Sequence, residues 1–167
     1  QTGSLQVTIN PQGAITAGAK WRRTGATTWR SSGVPETGIP VGPYTVEFSD
    51  VAGWTKPINQ PVTITNGQTA NASGTYVQQL GSLTTTISPQ PAIDAGAQWR
   101  VDGGVWQISG YTQTGLSVDS HIVEFSNVVG WTKPANQTAT ISNGQTTDTS
   151  GTYTPARGSL KVTIGPQ

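Results

Sequence analysis

The chain has 167 residues, of which only 10% are charged, for a formal net charge of +1, and it has neither Cys nor Met. So weak a field argues against nucleic-acid or anionic-membrane partners, and without Cys there is neither a disulfide framework nor thiolate chemistry. No apolar run reaches the eighteen or so residues that a membrane-spanning helix needs, which excludes helical membrane insertion.

Taken in order, Leu5, Val7 and Ile9 alternate with Gln6 and Thr8 as in a half-buried strand, and Pro11 stops it. Gly- and Ala-rich segments at 12–18 and 90–96 read as turns. Lys20-Trp21-Arg22 opens a second strand. Its counterpart, Trp99-Arg100-Val101-Asp102-Gly103-Gly104-Val105-Trp106, reads as a hairpin, because Asp-Gly-Gly supplies the positive φ angles of a primed turn. Tyr44, Val46 and Phe48 share one face of the strongest strand, with Thr45 and Glu47 on the other. Gly53-Trp54-Thr55-Lys56-Pro57 reads as a long connection. Asn66-Gly67 and Asn143-Gly144 are hairpin signals between the last strands of each copy.

These elements occur twice. Val46–Gln60 returns as Val123–Gln137, with Trp54 and Trp131 77 positions apart, and Gly3-Ser4-Leu5 returns as Gly81-Ser82-Leu83 and again as Gly158-Ser159-Leu160. Trp21 to Trp29 is eight positions and Trp99 to Trp106 seven, so the length difference sits at the hairpin tip, where a chain tolerates it. The expected organisation is residues 1–80 as one β-sandwich, 81–157 as a second, and 158–167 as the first strand of a third repeat. The chain thus reads as a piece of something longer. The expected fold class is all-β: two tandem small Ig-like sandwiches of six or seven strands each, joined by the short linkers 77–80 and 154–157.

The run Gly81-Ser82-Leu83, Ile87-Ser88-Pro89, Val101-Asp102-Gly103-Gly104, Gly115-Leu116-Ser117, His121-Ile122-Val123-Glu124 and Gly130-Trp131 resembles the PEGA family of small β-sandwich repeats. It is closer still to a Trp-Arg-x-Asp-Gly-Gly-x-Trp variety found in long bacterial surface proteins. The resemblance covers both copies. It implies a PEGA-like sandwich in an exported or surface-anchored protein, with no catalytic residue. The chain departs from it in the Ala92–Gly96 insert and in Trp99, Trp106 and Trp131.

Candidate sites are few. His121, the only His, stands where the first copy has Tyr44, and a single His without Cys or paired carboxylates makes a poor metal site. Glu47 and Glu124 read as solvent-face residues and Asp102 as a turn residue; Asp50 becomes Asn127, which a duplicated acid catalyst would not permit. Lys20, Arg22, Arg23 and Arg30 cluster in the first copy, while the second keeps only Arg100 there, which reads as a solvated face. Asn71-Ala72-Ser73 and Asn136-Gln137-Thr138 match the N-glycosylation pattern. The six Trp form the pairs Trp21/Trp99, Trp29/Trp106 and Trp54/Trp131. The first two pairs read as core or packing, facing each other across the hairpin. Trp54 and Trp131, beside Lys56 and Lys133, are the candidates for exposure and for a ligand or inter-unit contact.

The function expected is a non-catalytic structural or interaction module, without cofactor or metal. It would act as a stalk, spacer or fibre-forming element of a secreted or cell-surface bacterial protein, with neighbouring repeats or subunits as partners. The alternative is a carbohydrate-binding module that takes polysaccharide on Trp54 and Trp131. Leu160, Val162 and Ile164 are the apolar positions by which the tail would enter a β-ladder, within the chain or on another chain by strand addition.

Overall fold

The computed structural model describes residues 1–158 and 161–162. The protein is all-β, and the chain divides into two units, Gln1–Gln79 and Leu80–Gln167.

In the first unit, β1 (Thr2–Asn10) leads through a short helix α1 (Gln12–Thr16) to β2 (Trp21–Arg23), β3 (Glu36–Pro40), β4 (Gly42–Phe48), β5 (Trp54–Thr55), β6 (Gln60–Ile64), β7 (Thr69–Thr75) and β8 (Val77–Gln78). The second unit repeats the order as β9 (Leu80–Ser88), α2 (Gln90–Asp94), β10 (Trp99–Val101), β11 (Thr112–Ser117), β12 (Ser120–Phe125), β13 (Trp131–Thr132), β14 (Gln137–Thr140), β15 (Thr146–Thr152) and β16 (Thr154–Pro155).

Each unit is a sandwich of two three-stranded sheets. One has the order β3-β1-β7, or β11-β9-β15; the other is β2-β4-β6, or β10-β12-β14. The alternation in β1 sends Leu5, Val7 and Ile9 inward, where they are essentially fully buried, to meet Trp21, Val46 and Phe48 from the facing sheet. The second core repeats this with Leu83, Ile87, Trp99, Val123 and Phe125. Thr85 replaces Val7 there, and its hydroxyl is satisfied by Thr149 Oγ1 at 2.7 Å, as a buried polar group requires.

Two glycines of the repeated motifs are explained by close approach. A Cβ on Gly74 would collide with the ring of Phe48, and one on Gly151 with Phe125. That ring is held edge-on by Tyr76, with centroids 6.4 Å apart, and the Tyr76 hydroxyl donates to the Ser49 carbonyl at 2.7 Å. Gly3 and Gly81 run so close to the Thr65 and Ser142 carbonyls that no side chain fits.

Several expectations are corrected. The Gly- and Ala-rich turns contain the helical turns α1 and α2, which bury Ala14 and Ala92; five residues are too few to show a helical period. The Asn-Gly signals do not close hairpins. Of each pair only the glycine, the second residue, has positive φ, 68° in Gly67 and Gly144, whereas a type I′ turn needs it at both residues and a type II′ turn at the first. The turn instead carries the chain from β6 in one sheet to β7 in the other, and β7 then pairs with β1 in parallel. The segments 53–57 and 77–80, read as connection and linker, pair with each other: Trp54 opposes Gln78 and Thr55 opposes Val77. With β13 and β16, these short pairs raise the count to eight strands per unit among the described residues.

Among the described residues β9 pairs with β11 on one edge and β15 on the other. Of the tail, Gly158, Lys161 and Val162 lie in no strand and Val162 is 71% exposed, whereas Leu160 and Ile164 lie outside the described residues.

Candidate functional site

The outer face of the β2-β4-β6 sheet carries a constellation that recurs in both units. Because Trp21 points into the core, Arg22 next to it points out, and the ladder places it opposite Glu47. The Arg22 Nε–H donates to Glu47 Oε2 at 2.7 Å, and Arg100 donates to Glu124 Oε2 at 2.7 Å. Each guanidinium lies over an indole: Arg22 over Trp29 at 4.5 Å from the ring centroid, Arg100 over Trp106 at 4.4 Å. Trp29 and Trp106 are therefore half-buried on the outside. They do not face Trp21 and Trp99 across the hairpin, because the bridging partners are Arg30 and Gln107. Trp21 and Trp99 are fully buried, and their indole N–H groups donate to the Ser31 and Ile108 carbonyls at 3.1 and 2.9 Å.

Trp54 and Trp131 are partly buried and pack against the cores of their units; Trp54 also lies close to Gly13 on α1. Lys56 pairs with Asp50 at 2.8 Å, while Lys133 donates to the Phe125 carbonyl at 3.2 Å because Asn127 replaces the acid. In the first unit a cleft of about 360 Å³ runs between these groups, lined by Arg22, Trp29, Glu47, Phe48, Ser49, Asp50, Lys56 and Asn59. Strand parity, read from Trp21 to Arg22 and across the bridge from Trp21 to Arg30, was the sequence signal that puts Trp29 on the outer face.

The second unit has a polar cluster that sequence spacing hid. Asp102 sits at φ 48° and Gly103 at φ 71°, the primed turn expected there. The Asp102 carboxylate accepts the Ile122 N–H at 2.8 Å through Oδ1, and the His121 ring at 2.6 Å through Oδ2. His121 Nε2 lies 2.9 Å from the Ser117 carbonyl and 3.5 Å from the Ser117 hydroxyl. Ser117, His121 and Asp102 thus have the chemical types of a hydrolytic triad, but not its geometry. A general base needs a bare Nε2 aimed at the hydroxyl. Here Nε2 lies against the Ser117 carbonyl, an acceptor that takes its N–H, so no lone pair is aimed at the hydroxyl. Burial pulls the His121 pKa down, but the hydrogen bonds to Asp102 and Ser117 and the charges of Asp102 and Asp119 outweigh it and raise it above the ordinary value. The Ile122 N–H, ahead of the opposing effect of burial, holds Asp102 below the usual carboxylate range, helped by His121.

The equivalent corner of the first unit is built differently. Glu36, 7% exposed, accepts Arg23 Nε at 3.0 Å and lies 3.4 Å from Arg30 Nε, too poorly aligned for a hydrogen bond. Arg23 also stacks on Tyr44 at 5.1 Å. In the second unit these four positions are Val101, Gln107, Gln113 and His121; Gln107 donates to Gln113 at 3.4 Å, and a cavity of about 500 Å³ opens beside Val101 and Leu116. Among the described residues no group of three or more His, Asp or Glu is placed to hold a metal ion, and no helix is long and apolar enough to cross a membrane.

The class of protein this defines is an all-β chain of two repeated sandwich units. No family model matches it, and no curated protein does. Among solved structures, the Bacillus anthracis TIE protein is similar with a TM-score of 0.61 at 14% identity, over 90% of this chain and 34% of that one. This chain therefore spans about a third of that protein, and the likeness is one of fold. Shaft pilin spaA from Lactobacillus rhamnosus GG matches with a TM-score of 0.38 at 10% identity, over 96% of this chain and 100% of that one. GBS52, the minor pilin of Streptococcus agalactiae, gives 0.35 at 9% identity, over 96% and 100%.

Proposed function

We propose that the chain is a run of non-catalytic, PEGA-like structural repeats from a secreted or cell-surface bacterial protein, working as a stalk, spacer or fibre element. The observation that carries this reading is what the two units keep and what they change. They keep Gly3/Gly81, Phe48/Phe125, Gly74/Gly151 and Tyr76/Tyr153, each with a packing reason. Of their polar side chains they keep the Arg22–Glu47 pair as Arg100–Glu124 but change others: Glu36 to Gln113, Asp50 to Asn127, Tyr44 to His121. A duplicated acid catalyst would not lose Glu36 and Asp50 in one copy. The partners are neighbouring repeats or subunits, and the segment 158–167, which repeats the opening of β1 and β9, reads as the opening strand of a further repeat.

A stalk of separate beads has a mechanical signature. Pulled from its ends by force spectroscopy, the chain should unfold in two steps, each releasing roughly 25–30 nm for units of 79 and 88 residues at full extension. A single step releasing the whole contour length would overturn the bead reading. Limited proteolysis would not discriminate, because Gln79, the one residue between β8 and β9, is itself tied down: its N–H donates to the Gly53 carbonyl at 2.8 Å.

A further inference from the structure

We propose that the cleft beside Trp29 in the first unit binds a neutral saccharide, one or two sugar rings long. This goes beyond the structural role and does not depend on it. The lining chemistry selects the ligand class. Four ionic side chains meet there, but as two closed pairs, Arg22 with Glu47 at 2.7 Å and Lys56 with Asp50 at 2.8 Å. Their charges cancel, so the cleft attracts neither a free anion nor a free cation. What it offers is hydrogen-bonding capacity in planar groups. The Arg22–Glu47 contact engages only Nε and Oε2, which leaves the terminal guanidinium nitrogens and Oε1 for a ligand. Asp50, 91% exposed, keeps a free carboxylate oxygen, and the exposed Asn59 adds an amide.

Vicinal sugar hydroxyls match such groups, with one oxygen donating and its neighbour accepting. Trp29 supplies the apolar surface that the C–H face of a pyranose covers, with Arg22 fixing the indole. At about 360 Å³ the cleft lies at the small end of ligand-sized sites, which limits the ligand to a short stretch of chain. The second unit keeps Arg100, Trp106 and Glu124 but has Asn127, and its lysine turns to the backbone. We therefore expect the first unit to bind more tightly.

The test is titration of the full chain by calorimetry and tryptophan fluorescence. The probes are cellohexaose, chitohexaose, maltohexaose and xylohexaose, with hexagalacturonate as the acidic control. At least one neutral oligosaccharide should bind with Kd below about 1 mM. Trp29→Ala should weaken that binding at least about tenfold, as loss of an aromatic anchor does, and Trp106→Ala much less. Asp50→Asn imports a residue that the second unit already carries, so folding is not at issue. It should weaken the neutral ligand several-fold and, by leaving the cleft net positive, favour the acidic control. Three results would each overturn the proposal: no neutral probe binding at about 10 mM, tighter binding of hexagalacturonate by the unaltered protein, or binding insensitive to both Trp29→Ala and Asp50→Asn.

Discussion

The two units solve one packing problem with different polar chemistry. In the first, the corner between the hairpin and the β4 strand holds a nearly buried carboxylate, Glu36, beside Arg23 and Arg30, with Tyr44 under the Arg23 guanidinium. In the second, the corner is neutral where Gln107 meets Gln113, and ionic one strand further on, where His121 meets Asp102. The backbone around both is the same: strand order, register and the Gly-under-Phe contact repeat. The scaffold therefore depends on shape, and the polar groups only have to be satisfied locally.

The largest break in that comparison is expected where the units agree. Gly74→Ala should destabilise the first unit by about 3 kcal/mol or more, because the Phe48 ring, locked by Tyr76, cannot yield. Gly151→Ala should do the same to the second through Phe125 and Tyr153. Thermal unfolding followed by unit-resolved amide exchange assigns each loss. Equal, small effects at both sites would mean that the close approach is not what selects glycine.

A middle-sized effect is expected where the units differ. Glu36→Gln leaves Arg23 and Arg30 facing no acid and should cost about 2 kcal/mol, measured by urea denaturation. The triple change Arg23→Val, Arg30→Gln and Glu36→Gln imports the second unit's solution and should recover most of that loss. If the triple variant is as weak as the single one, the two corners are not interchangeable.

The smallest effect is a pH dependence confined to the second unit. His121 is raised above its ordinary value when folded, so its contribution is complete at pH values below the unfolded pKa, near 6.5, and is lost as pH rises through the folded pKa. Asp102 is lowered, so its contribution is complete above about 3.8 and is lost only in stronger acid. The second unit should thus be most stable at roughly pH 4–6.5 and weaken above it, by under about 1 kcal/mol for so exposed a carboxylate. His121→Tyr, the first unit's choice, should flatten the melting temperature between pH 6 and 8, a range that brackets the ordinary His pKa. A slope that survives the substitution would assign the titration elsewhere.

What the sequence made legible follows from periods and echoes. Alternation placed Leu5, Val7 and Ile9 in the core, Asp102-Gly103 announced its turn, and the missing residue between Trp99 and Trp106 falls at that turn. What stayed hidden needed pairing across sheets. Asn66-Gly67 has the same letters whether it closes a hairpin or crosses between layers, and only the parallel ladder of β7 on β1 decides. Asp102 and His121 are 19 positions apart and meet because β10 pairs with β12. An exposed ring was sought at Trp54, flanked by Gly and Lys-Pro; Trp54 is partly buried and packs on the core beside the short β5–β8 ladder, and Trp29, half-buried too, lies on the outer face under Arg22.

Hydrogen exchange on Gly74→Ala tests most directly the central claim that each repeat carries its own complete core. Protection should collapse in β1, β4 and β7 and stay at the unaltered level in β9, β12 and β15. Loss of protection in both sets together would contradict it.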